Sequence, residues 1–158
     1  MELVKVAAGK YVFQLGKLEW PVLGRLLELY PVVPTSHHRL SRNEAGEGAR
    51  PADDALLQEA MAEHRRQNQQ RVGLLLRNHY RVTPHAAGHR LVLTREDLEW
   101  LLQVLNDVRI GSWLKLGCPD PDQGRAFALN QTSIPYLVTM DQAGRFEGAL
   151  LAALEEDG

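Results

Sequence analysis

The sequence predicts an α+β fold dominated by helix, an N-terminal β-hairpin plus one further strand packed with about four helices. Three observations point there. Two β-prone segments flank Gly9 near the start. Four later stretches repeat apolar residues at helical spacing. The chain of 158 residues is 44% hydrophobic and 24% charged, the size and balance of a single globular domain spanning residues 1–158.

The hairpin is read from Leu3–Ala7 and Tyr11–Leu15, two short runs around a turn at Gly9. A lone hairpin is marginal in water and needs a further strand or a helix over it. A first helix is expected at Leu18–Tyr30, with Pro21 in its first turn and Leu23, Leu26, Leu27 and Tyr30 on one face. Pro31 and Pro34 stop it.

Thr35–Arg50 has almost no apolar residue beyond Leu40, so it reads as a flexible loop unable to order itself by burial. Asp53 and Asp54 then favour a helix start, because carboxylates complement the positive end of the helix dipole. That helix is expected to run to about Arg81. Thr83–Gly88 breaks the chain, and Leu91–Leu93 is the expected third strand. Thr94 with Asp97 resembles a capping box opening a helix that closes at Gly117. Cys118–Thr132 reads as a second loop. The last helix is expected over Pro135–Glu156, although Gly144 and Gly148 also allow a strand at Tyr136–Met140, a turn and a shorter helix.

Polar residues interrupt two apolar faces. On the helix from Arg95, residues Leu98, Leu101, Leu102, Leu105 and Val108 define an apolar arc, and a step of about 100° per residue sets Arg109 near its middle. An arginine turned inward there needs a carboxylate, a set of carbonyls or a bound anion, since an unpaired buried charge costs several kcal/mol. An ion pair to another element, a side chain reaching the rim, or a ligand-binding role all fit it. On the long helix, Leu57, Met61, Val72 and Leu75 mark a stripe that His64, Asn68 and Arg71 share in its middle. Their i, i+4, i+7 spacing suits either a solvated section or one wall of a polar pocket.

Charge is segregated along the chain. His64–Arg95 holds seven arginines, four histidines and no acid, while Asp141–Gly158 holds five acids and one arginine. The expectation is that the acidic end neutralises the basic block. Nucleic acid is the less favoured partner, because Tyr80 is the block's only aromatic and no recognition motif is present. The formal net charge of −2 excludes a uniformly basic coat protein.

The six histidines form no His-Glu-x-x-His pattern, Cys118 has no Cys-x-x-Cys partner, and no phosphate-cradling loop or serine elbow occurs. No metal and no cofactor is therefore expected. One cysteine permits no internal disulfide, the N-terminal residues lack a signal-peptide pattern, and no apolar run is long enough for a membrane span, so a cytoplasmic location is expected.

Leu105-Asn106-Asp107-Val108-Arg109-Ile110, continuing to Leu116-Gly117, resembles an uncharacterised bacterial family of unknown function whose members carry a Leu-Asn-Asp-x-Arg-Leu helix closed by Leu-Gly. Genes of that family often lie near a Clp-protease adaptor and a JAMM-type peptidase, which implies a role around proteolysis or sulfur metabolism and draws interest to Asn106, Asp107 and Arg109. The expected function is a non-enzymatic protein-binding or regulatory module, with a protein partner or a homodimer through the long helices. The rival expectation is a small enzyme or anionic-ligand-binding protein with a polar pocket between the two long helices. It would use Arg109 for the anion and His64 as acid–base.

Overall fold

The computed structural model describes residues 1–33, 51–77, 81–120 and 129–156. The expected loop at Thr35–Arg50 therefore lies outside the described residues. The elements are strands β1 (Glu2–Ala7) and β2 (Lys10–Gly16), helices α1 (Glu19–Glu28) and α2 (Pro51–Arg77), strands β3 (Val82–His85) and β4 (Gly88–Thr94), and helices α3 (Arg95–Lys115) and α4 (Ile134–Glu155). The four strands form one antiparallel sheet in the order β1-β2-β4-β3. The architecture is α+β and mainly helical.

Ala8 and Gly9 both have positive φ, the pair of left-handed residues that a two-residue hairpin loop requires. Alternation along β2 then sends Tyr11, Phe13 and Leu15 to one face, where all three are fully buried. Leu91 and Leu93 of β4 stand opposite Phe13 and Tyr11 on that face. The sheet binds β4 directly to β2, as expected for the third strand. At the far end Gly88 pairs with Gly16, and a Cβ at Gly88 would stand 2.2 Å from the Leu15 carbonyl oxygen, so only glycine fits.

β3 is a strand that the sequence expectation treated as a break. Pro84 misled that reading, yet proline is tolerated where a strand forms a sheet edge, and β3 is the outer strand beside β4.

The helices cover the face carrying the aromatic residues. Leu23, Leu26 and Leu27 of α1, Val72 and Leu75 of α2, Leu98, Leu101, Val104, Leu105 and Val108 of α3, and Phe146 and Leu150 of α4 complete the core. The capping box at α3 is formed in full: the Thr94 side chain accepts from the Asp97 backbone and the Asp97 side chain accepts from the Thr94 backbone. α4 is one unbroken helix through Gly144 and Gly148, which removes the strand-and-turn alternative. Gly111 lets the chain after α1 lie against α3, since a Cβ there would stand 2.7 Å from the Val32 Cβ. Among the described residues no helix is long and apolar enough to cross a membrane.

Candidate functional site

The second half of α2 is fastened to α3 through Asn68 and Arg71. Asn68 is buried, and its amide serves two aromatic residues from different elements. The Trp100 indole N–H donates to Asn68 Oδ1 at 3.0 Å, and Asn68 Nδ2 donates to the Tyr30 hydroxyl at 3.2 Å. A buried carboxamide is stable only when both ends are matched in this way. His64, one turn earlier and exposed, places Nδ1 3.5 Å from the same Nδ2.

Arg71 lies over the Trp100 ring with its guanidinium carbon 4.7 Å from the centroid, a cation–π arrangement. It also pairs with Asp97 Oδ1 at 2.9 Å and Glu96 at 3.1 Å. Arg81 pairs with the second Asp97 oxygen. Burial opposes a charge on Asp97, but hydrogen bonds from Arg81, Arg71 and Thr94 outweigh it and hold the carboxyl well below the usual carboxylate range. Burial also pushes the Tyr30 hydroxyl above its ordinary value, a shift the Asn68 hydrogen bond only partly offsets.

Toward the N-terminal half of α2 the two helices leave a cleft of about 480 Å³ between them. Its walls are Ala60, Met61, His64, Arg65 and Asn68 from α2 and Gln103, Asn106 and Asp107 from α3. Arg65 ties the outer wall to the segment after α1 by donating to the Val33 carbonyl at 3.0 Å. Four of the six residues singled out from the sequence, His64, Asn68, Asn106 and Asp107, line this cleft.

Arg71 and Arg109 do not join it. Arg71 is committed to Asp97, Glu96 and Trp100. Arg109 does not keep its guanidinium inside: its side chain is 46% exposed, which matches the ion pair to another element and the reach to the rim that the sequence allowed and not a buried ligand site. It leaves α3 on the side facing α4, where its Nε pairs with Glu147 Oε2 at 3.2 Å and a terminal nitrogen donates to Asn106 Oδ1 at 3.0 Å. A long side chain on the margin of an apolar arc can carry its charge out to the rim, and it does so here. The buried member of the pair is Glu147, whose pKa burial raises and Arg109 only partly restores. Glu147 Oε1 has no hydrogen-bond partner.

Of the basic block, Arg71 and Arg81 pair with Glu96 and Asp97 at the start of α3, while Glu147 of the acidic end serves Arg109; Asp157 lies outside the described residues.

Sequence reasoning missed Glu147, Trp100, Arg65 and Gln103 as members of these sites. Glu147 was detectable, since it stands four residues after Ala143 and three before Leu150 on the buried face of α4. Among the described residues no group of three His, Cys, Asp or Glu side chains is placed to hold a metal ion. No family model matches the chain, and neither a curated protein nor a solved structure does so.

Proposed function

We propose that this chain is a non-enzymatic protein-binding module that works in the cytoplasm through the outward face of α2. The observation carrying this reading is a pair of leucines that the domain leaves uncovered: Leu56 is 67% and Leu74 65% exposed, while Asn68, Val72 and Leu75 hold the other side of the helix to the core. Large apolar side chains aligned on an open helix face favour a protein partner, since association removes them from water. The resemblance of Leu105–Ile110 to a family encoded beside proteolysis proteins is in keeping with such a role. The test is retention from lysate by the wild-type protein and by a Leu56→Glu, Leu74→Glu variant with unchanged melting temperature. Bound chains, identical or different, should be held by the first and lost by the second. Equal retention of every chain refutes the reading.

A second reading is favoured by the cleft itself. Beside the already matched Asn68, the side chains of His64, Gln103, Asn106 and Asp107 bring imidazole, carboxamide and carboxylate groups to one open cleft, a set suited to a small polar ligand with both donors and acceptors. With Arg109 engaged at α4, anion capture at that residue has lost its support. Thermal-shift screening of polar metabolites against the wild type and Asn106→Ala discriminates: a ligand that stabilises the first and not the second supports this reading, and no stabilising ligand removes it.

A further inference from the structure

We infer that the outward face of α2 pairs antiparallel with the same face of a second copy of this chain. The inference rests on the protein-binding reading and names the partner. At 3.6 residues per turn, Leu56 and Leu74 stand about five full turns apart and therefore share one line along the helix. Between them Ala60, Glu63, Gln67 and Gln70 follow at alternating spacings of four and three, the seam of a coiled coil. All six residues are exposed. The stripe held by the domain, Asn68, Val72 and Leu75, lies about 130° round the helix, so the seam points away from the core, with Ala60 at its inner margin beside the cleft.

The charge along α2 selects the second copy and its direction. Residues 51–63 contain four acids and no base, and residues 64–77 contain four arginines and no acid, of which Arg65 and Arg71 are held toward the domain while Arg66 and Arg77 are exposed beside the seam. In a parallel pair acid would lie beside acid and arginine beside arginine along the whole contact, which is repulsive. Turned antiparallel about a two-fold axis near residue 65, the acidic half of each helix lies beside the basic half of the other. The same axis sets Leu56 against Leu74 of the second copy at both ends, Ala60 against Gln70, and Glu63 against Gln67. Glu63 already gathers Arg66 at 2.5 Å and Gln67 at 3.0 Å within its own helix, so across the axis it meets two more donors of the kinds it holds. Polar residues in the middle of a seam weaken it but fix register, and the leucines at its ends supply the apolar contact.

Site-directed cross-linking tests direction and register together. Two single variants, Leu56→Cys and Leu74→Cys, are each prepared in a Cys118→Ser background. Each chain then carries one cysteine, so no bond can form within a chain. Mixed and mildly oxidised, the two variants should link to each other, while each alone should remain unlinked. Linkage of Leu56→Cys to itself indicates a parallel pair and overturns the inference, as does the absence of any link. Sedimentation equilibrium supplies the second readout: the Leu56→Glu, Leu74→Glu chain should dissociate at least about tenfold more readily than the wild type. A wild-type chain that stays monomeric at about 0.5 mM refutes self-pairing. Should such a monomer still retain a different protein from lysate through Leu56 and Leu74, the binding-module reading survives while the self-pairing falls.

Discussion

Replacing Asn68 by alanine tests the joint on which the cleft is built. The substitution removes the acceptor of the Trp100 indole N–H and the donor to the Tyr30 hydroxyl, and both aromatic residues are more than nine-tenths buried. An orphaned buried donor costs about 1–3 kcal/mol, and the second lost hydrogen bond adds about 1 kcal/mol. The sum, about 2–4 kcal/mol, corresponds to a fall in Tm of about 4–16 °C for a chain of this length. Urea unfolding followed by circular dichroism measures it, with an unchanged m value showing that the same surface is exposed on unfolding. The decisive form is a double-mutant cycle with Trp100→Phe. If the indole N–H causes the loss, Asn68→Ala is far less harmful beside Trp100→Phe than alone, because removing both polar partners spares the desolvation cost. Additive losses in that cycle, or an Asn68→Ala protein within about 0.5 kcal/mol of wild type, would refute the reasoning.

Two further outcomes follow from the carboxylates. Asp97→Asn should cost about 2–3 kcal/mol, below the usual range for a broken buried pair because Arg71 and Arg81 are partly exposed and can turn to water. Since the Asp97 pKa is depressed on folding, its contribution is present above an unfolded value of about 3.9 and is lost as pH falls toward the folded one, so stability measured from pH 6 down to pH 2 should fall less steeply in the variant. Identical slopes would contradict the assignment. Glu147 behaves in the opposite sense: its pKa is raised, so stability declines as pH climbs from about 4.3 through the folded value, and Glu147→Gln should remove that decline. At pH 8 the variant should match or exceed wild type, the half-exposed Arg109 being free to hydrate; a loss above about 2 kcal/mol would show that the ion pair outweighs its burial.

The elements whose determinants are local were legible in the amino-acid order. The hairpin turn needs only Ala8 and Gly9, and the capping box needs only Thr94 and Asp97. The apolar spacing of α1 named its buried face correctly through Leu23, Leu26, Leu27 and Tyr30. β3 was hidden because its only guarantee is the neighbour it pairs with, and Pro84 argues against a strand until the edge position is known. The cleft was half legible. The run His64, Asn68, Arg71 revealed a polar stripe, but which member stayed open depended on distant residues: Trp100 and Tyr30 claimed Asn68, and Asp97 claimed Arg71. For Arg109 the sequence left the ion pair, the rim and a ligand open together, for a related reason. A helical wheel gives direction from the axis and says nothing of how far a long side chain travels to reach water. The acid it meets, Glu147, lies on a helix that the sequence order does not reveal as its neighbour.

The three tryptophans occupy separate districts of the molecule. Trp20 lies near His89, with ring centroids 6.2 Å apart, Trp113 donates to the Pro119 carbonyl, and Trp100 is clamped beneath α2 by Asn68 and Arg71. Trp100 is therefore a built-in optical gauge for one event. Its emission responds when the long helix lifts from α3, and in a protein whose other two tryptophans are phenylalanine that signal needs no attached dye.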